Sequence, residues 1–311
     1  MKFQHKLYQL TVWLLAVAAV AAVVLRLFTY WTELEGATGF FAGNGTACFI
    51  YNVLGFAVFA LCLLFSMNKG GSLLSDTPAQ AEENSEDRLL AQSEEDFFEE
   101  MNPSAPSAKD PLPFFSGAVS TWQGTLSAFA TFLPGFGFLA YSLSFFATGQ
   151  TSDPYNMVFA LLSALSGLYF IVLARSNSVE KSRGKAFFAL IPALWCTVRL
   201  VVEYRDLARF VNKSLYIGQF LFVISALLFF LYQAQLFLGE KPFDRPNSYA
   251  FSALAVAFFG ITCRLPQLIA VFGDKAAVDL VAASSLVIDL AITLLALIKA
   301  RTVWLTARKY L

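Results

Sequence analysis

Eight long runs of apolar residues, each nearly free of charge, constrain this chain more than any other feature. A helix crossing the hydrocarbon core of a bilayer needs about 20 such residues. Runs of that length fall approximately at 7–30, 47–67, 115–141, 155–174, 186–204, 215–238, 249–272 and 278–298. Apolar residues make up 57% of the chain and charged ones only 14%, a ratio that a soluble domain of 311 residues does not tolerate. The sequence therefore predicts an all-α integral membrane protein of about eight transmembrane helices, a multi-pass protein of the cell membrane with the lipid bilayer as its solvent.

The net charge of zero conceals a division. Residues 69–113 carry a net charge of −8 and the remainder +8, with the basic residues gathered mainly in short loops beside the apolar runs. That placement suits an anionic cytoplasmic leaflet and needs no nucleic acid to explain it. With a cytoplasmic N-terminus, fifteen of the 22 lysines and arginines lie inside, which favours an N-in, C-in topology. Arg205, Arg209 and Lys213 run against the trend, in a loop assigned to the outside. Asn44-Gly45-Thr46 and Asn212-Lys213-Ser214 match the glycosylation pattern on that outer side, a motif short enough to recur by chance.

The stretch between Asp110 and Asp153 is long enough for two crossings and is interrupted by Leu133-Pro134-Gly135-Phe136-Gly137. A second crossing would turn the basic loop from Arg175 to Lys185 outward, so one kinked span is expected, with the excess at an interface. The polar residues Ser120, Thr121, Gln123, Thr125, Ser127 and Thr131 suit either a cavity-lining helix or close helix packing.

Three regions follow: a two-helix unit over 1–68, an acidic cytoplasmic linker over 69–113 and a six-helix bundle over 114–311. The Ser, Glu, Asp and Pro content of the linker reads as disorder. Within 85–101, however, Leu89, Leu90, Phe97, Phe98 and Met101 share one half of a helical wheel. An acidic amphipathic helix is repelled by anionic lipid. It would dock on a protein partner or on the chain's own basic loop, unless the segment is simply a solvated linker.

The fifth and seventh runs echo one another. Ala186-Phe187-Phe188-Ala189-Leu190 leads to Arg199-Leu200, and Ala250-Phe251-Ser252-Ala253-Leu254 leads to Arg264-Leu265, with one residue of offset. Either a parallel repeat of helical hairpins or the accidental alignment of apolar sequence accounts for this.

Several chemistries lack their residues. The one histidine is His5, so HExxH, Ser-His and bis-histidine haem arrangements are absent, and no Walker A, GxGxxG or GxSxG motif occurs. Cys48, Cys62, Cys196 and Cys263 show no CxxC spacing and read as small core residues. No cofactor, metal or catalytic residue is indicated.

The positive signal is charge inside the later spans: Arg199 and Glu203, Arg264, Asp279 and Asp289. A charge near a helix centre opposes insertion by about 2.5 to 3.5 kcal/mol, so such a residue faces the bundle interior and finds a partner. Arg199 and Glu203 are spaced i, i+4 and can pair along one helix. Arginine reach makes an Arg264–Asp289 pair feasible, and Pro266 interrupts the helix beside that charge. Arg199, Glu203, Arg264 and Asp289 are therefore the candidate ligand-binding residues, for a small anionic molecule or a lipid head group. The alternative is a structural interhelical ion pair, with snorkelling near the outer surface.

Two functions compete on these grounds. One is a non-enzymatic bundle that binds or transports a small anionic or amphipathic solute. The other is a membrane-embedded accessory protein acting through its acidic segment.

Overall fold

The structure is a computed structural model, and it describes residues 2–32, 46–67, 121–150, 153–175, 183–209, 214–238, 246–272 and 279–309. The acidic linker, the segment with Leu89, Leu90, Phe97, Phe98 and Met101, and Lys213 lie outside the described residues, as do the side chains of Arg205 and Arg209. The asparagines of both glycosylation motifs, Asn44 and Asn212, also fall outside them.

All regular structure among the described residues is helical. In chain order the helices are α1 (Lys2–Thr32), α2 (Thr46–Met67), α3 (Thr121–Ala147), α4 (Pro154–Arg175), α5 (Arg183–Arg209) and α6 (Ser214–Leu238). Then comes α7, which runs through Pro246–Phe259, a π-helical turn Gly260–Arg264 and Leu265–Phe272, and finally α8 (Leu280–Lys309). Seven of these are long and apolar enough to cross a membrane. The remaining helix, α2, shows a shorter apolar run, Phe49–Leu64. Helix is the form that satisfies every backbone N–H and C=O within one segment, as a lipid-exposed chain requires.

Large apolar side chains cover the outer surface of the bundle, among them Trp13, Val17 and Val24 on α1, Leu161 and Leu168 on α4, and Phe187 and Val201 on α5. In water such a surface would drive association. Against acyl chains it needs no cover.

Each of α3 to α7 packs on the next helix in the chain, and α8 closes back on α3, so the last six helices form a ring. In that order α5 and α8 stand across the ring from each other. The two-helix unit lies outside it, with α1 and α2 against α7 and α2 also against α6. Accordingly α7 is the most deeply buried of the seven long apolar helices and α1 the least. Aromatic rings fill the interior: Trp195 meets Phe138 edge-on with centroids 4.8 Å apart and stacks on Phe159 at 5.3 Å.

The expected interruption at Leu133 to Gly137 proves to be a packing device. Thr121–Ala147 is one helix with Pro134 inside it, and residues 115–120 of the apolar run lie outside the described residues. Gly135 lies against α4, where a β-carbon would come within 3.1 Å of the Gly167 carbonyl oxygen, and one on Gly167 would lie 2.9 Å from that of Gly135. Gly137 faces the Ile288 backbone on α8. Small residues let membrane helices approach backbone to backbone, so these glycines seat α3 between its two ring neighbours.

Several hydroxyl groups in the interior are satisfied within their own helices. Ser163, Ser225, Thr262 and Thr293 each donate to the carbonyl four residues earlier. In the third span, Thr131 does the same with Ser127, whose hydroxyl also receives a hydrogen bond from Lys299. The side chains of Ser120, Thr121 and Gln123 lie outside the described residues.

Candidate functional site

The four charged residues singled out from the sequence meet inside the ring. Asp289, fully buried at 0% exposure, is where they converge. From across the ring Arg199 approaches it two-pronged, with Nη1 donating to Oδ1 at 2.5 Å and Nη2 to Oδ2 at 2.8 Å. From the adjacent helix Arg264 places Nη2 2.5 Å from Oδ2. The remaining Arg199 nitrogen, Nε, donates to Glu203 Oε1 at 2.7 Å one turn further along α5. The Arg199 guanidinium also lies over the Trp195 ring, 5.1 Å from its centroid. That indole is fixed in turn by donating its N–H to Ser163 Oγ at 2.8 Å.

Two arginines and two carboxylates make a formally neutral cluster, which is why it can sit in a bundle interior at all. Removing one charge would leave the others uncompensated at low dielectric. Arg199 and Arg264 are each only 4% exposed, so solvent does little to screen them.

Of the expected pairs, Arg199 with Glu203 and Arg264 with Asp289 both form. The Arg199–Asp289 pair adds to them, because ring closure brings α5 and α8 face to face. Asp279 takes no part: it is exposed ahead of α8, where its Oδ1 accepts the Ala282 N–H and caps that helix.

One donor in the cluster is unmatched. Arg264 Nη1 donates to Gln267 Oε1 at 2.9 Å and Nη2 pairs with Asp289, but Arg264 Nε is buried without a hydrogen-bond partner. A buried donor left unsatisfied costs about 1 to 3 kcal/mol, more when charged, so this nitrogen is available to an acceptor.

Next to Arg264, a second group of polar residues joins the two-helix unit to the ring. The Tyr51 hydroxyl on α2 lies 2.7 Å from Cys263 Sγ and 3.3 Å from Thr262 Oγ1. Arg26 on α1, only 1% exposed, sits over the Tyr51 ring at 4.7 Å. Arg26 escapes a reading of the sequence because it directly follows an uncharged run already long enough to span. The signal is present nonetheless, since the apolar pattern continues to Tyr30 and makes Arg26 an intramembrane charge. Arg26, Tyr51, Thr262 and Cys263 thus form one polar group and Arg264, Asp289, Arg199 and Glu203 another, adjoining where Cys263 and Arg264 follow one another in α7.

Among the described residues, no group of three or more His, Cys, Asp or Glu side chains gathers as a metal site would require. Cys62, Cys196 and Cys263 are buried free thiols. Comparisons with protein-family models, with curated protein sequences and with solved structures give no match.

Proposed function

We propose that this protein is a non-enzymatic, eight-span bundle of the cell membrane, N-in and C-in. On this reading it binds and moves a small anionic or amphipathic solute at the Arg199, Arg264 and Asp289 cluster. The observation that carries the proposal is the buried Arg264 Nε–H, which lacks an acceptor beside a carboxylate already held by two arginines. A purely structural ion-pair network would be expected to match its donors, as each guanidinium nitrogen of Arg199 is matched.

In the resting arrangement Asp289 supplies the counter-charge that an incoming anion would otherwise bring. A carboxylate or phosphate oxygen arriving at Arg264 Nε competes with Asp289 for the guanidinium. Because the cluster starts neutral, a bound monoanion leaves it one negative charge in excess. The helix interruption at Gly260 to Pro266 is the kind of irregular backbone around which transporters build their sites.

The test uses the full chain in lipid nanodiscs, with native mass spectrometry reading retained small molecules and lipids. Thermal stabilisation by added carboxylates, by inorganic phosphate and by anionic lipid head groups forms the second measurement. Stabilisation that is lost in Arg264→Gln and in Asp289→Asn, while both variants stay inserted and monodisperse, supports the reading. A wild-type chain that retains no anion and is stabilised by none of the three probes overturns it.

A further inference from the structure

The one-residue offset between α5 and α7 has a structural cause. Thirteen positions separate Ala186 from Arg199, and fourteen separate Ala250 from Arg264. A regular α-helix turns about 100° per residue, so an extra residue in α7 would swing Arg264 by that angle off the face continued from Ala250. The π-helical turn Gly260–Arg264 takes up the extra residue, with the Leu265 N–H bonded to the Gly260 carbonyl five positions back. Arg264 is thereby aimed at the same carboxylate that Arg199 holds.

A π-helical turn is less favourable than continuous α-helix and persists where its surroundings hold it. Here the hold comes from outside the ring. Tyr51 Oη contacts Cys263 Sγ and Thr262 Oγ1, side chains of two consecutive residues within the turn. Gly218 on α6 leaves the room for this, because a β-carbon there would lie 2.6 Å from Cys263 Sγ and 2.9 Å from Tyr51 Oη. Arg26 lies over the face of the tyrosine ring, an attraction that fixes the ring's plane.

We propose that Tyr51, supplied by the two-helix unit, is a positioning residue for the anion site: its hydroxyl clasps the π-helical turn and so aims Arg264 at Asp289. The proposal depends on the anion-binding reading only for the ligand half of its test. It gives the two-helix unit a role beyond filling a lipid-facing surface, since the direction of a ligand-facing arginine in the ring is then set by a residue outside the ring.

Tyr51→Phe removes the hydroxyl while keeping the ring and its contact with Arg26. In nanodiscs, with octanoate as probe, this variant should bind about three- to tenfold more weakly, the effect of losing about one hydrogen bond. In an Arg264→Lys background, Tyr51→Phe should cause no further loss, because the group it aims is already altered. Without octanoate, hydrogen–deuterium exchange over residues 260–267 should be faster in Tyr51→Phe than in wild type and unchanged in Val58→Ala, a substitution elsewhere on the same helix. Equal weakening by Tyr51→Phe in the wild-type and Arg264→Lys backgrounds, or exchange over 260–267 that Tyr51→Phe leaves unchanged, overturns the proposal. If the wild-type chain binds no octanoate, the anion reading loses that ligand class, and the exchange measurement still decides whether Tyr51 holds the turn.

Discussion

Gly260 and Thr293 approach so closely that a β-carbon on the glycine would lie 1.8 Å from the threonine hydroxyl oxygen. That hydroxyl donates to the Asp289 carbonyl, so the contact fixes α7 against the stretch of α8 that carries the cluster's central carboxylate. Gly260→Ala should destabilise the protein by about 1 to 3 kcal/mol, the cost of an overpacked core, because the threonine Cβ itself would lie 2.7 Å from the new methyl and side-chain rotation cannot relieve that. Thermal unfolding in detergent checks this. Adding Thr293→Ala should recover part of the loss, since the two positions share one contact.

How much of this can be read from the sequence follows from the range of each interaction. A charge in an apolar span must find a partner, and two partners are near enough along the chain or in depth to be named: Glu203 for Arg199 and Asp289 for Arg264. The link from Arg199 to Asp289 needs the closed ring. Gly135 and Gly137 look like helix breakers, because sequence shows their propensity and not the neighbouring helices they let in. The offset between α5 and α7 is visible as a number, but the π-helical turn that absorbs it depends on Tyr51 and Gly218, more than forty positions away along the chain.

Asp289→Ala should be among the most damaging single changes. It leaves Arg199 and Arg264 buried with only Glu203 between them, and breaking a buried ion pair from one side costs about 3 to 5 kcal/mol. Glu203→Gln, at a partly exposed position and with an amide oxygen still able to accept from Arg199 Nε, should cost less than that. The ranking, measured by unfolding midpoints in one detergent, fails if the two variants are equally stable.

The glycines of the bundle make a graded series. Gly167→Ala would set a methyl 2.9 Å from the Gly135 carbonyl oxygen and from Leu139, forcing α3 and α4 apart. Gly55→Ala meets the end of the Phe259 ring at 3.4 Å, an ordinary contact that a side chain can accommodate. Alanine also favours the helix over glycine by about 1 kcal/mol. Gly55→Ala should therefore be neutral or slightly stabilising and Gly167→Ala clearly destabilising, a difference in sign that melting curves of the two variants would show.

Trp195 links the aromatic interior to the ion cluster, since its ring lies beneath Arg199 and its N–H is held by Ser163. Ser163→Ala would leave that indole N–H buried without an acceptor, at a cost of about 1 to 3 kcal/mol. Trp195→Phe removes the donor together with part of the ring, so adding Ser163→Ala to it should cost much less than Ser163→Ala alone. The coupling in this double-mutant cycle separates the hydrogen bond from the loss of ring volume. If Ser163→Ala is as costly in the Trp195→Phe background as in wild type, the serine acts through helix packing and the indole is held in place by its aromatic neighbours alone.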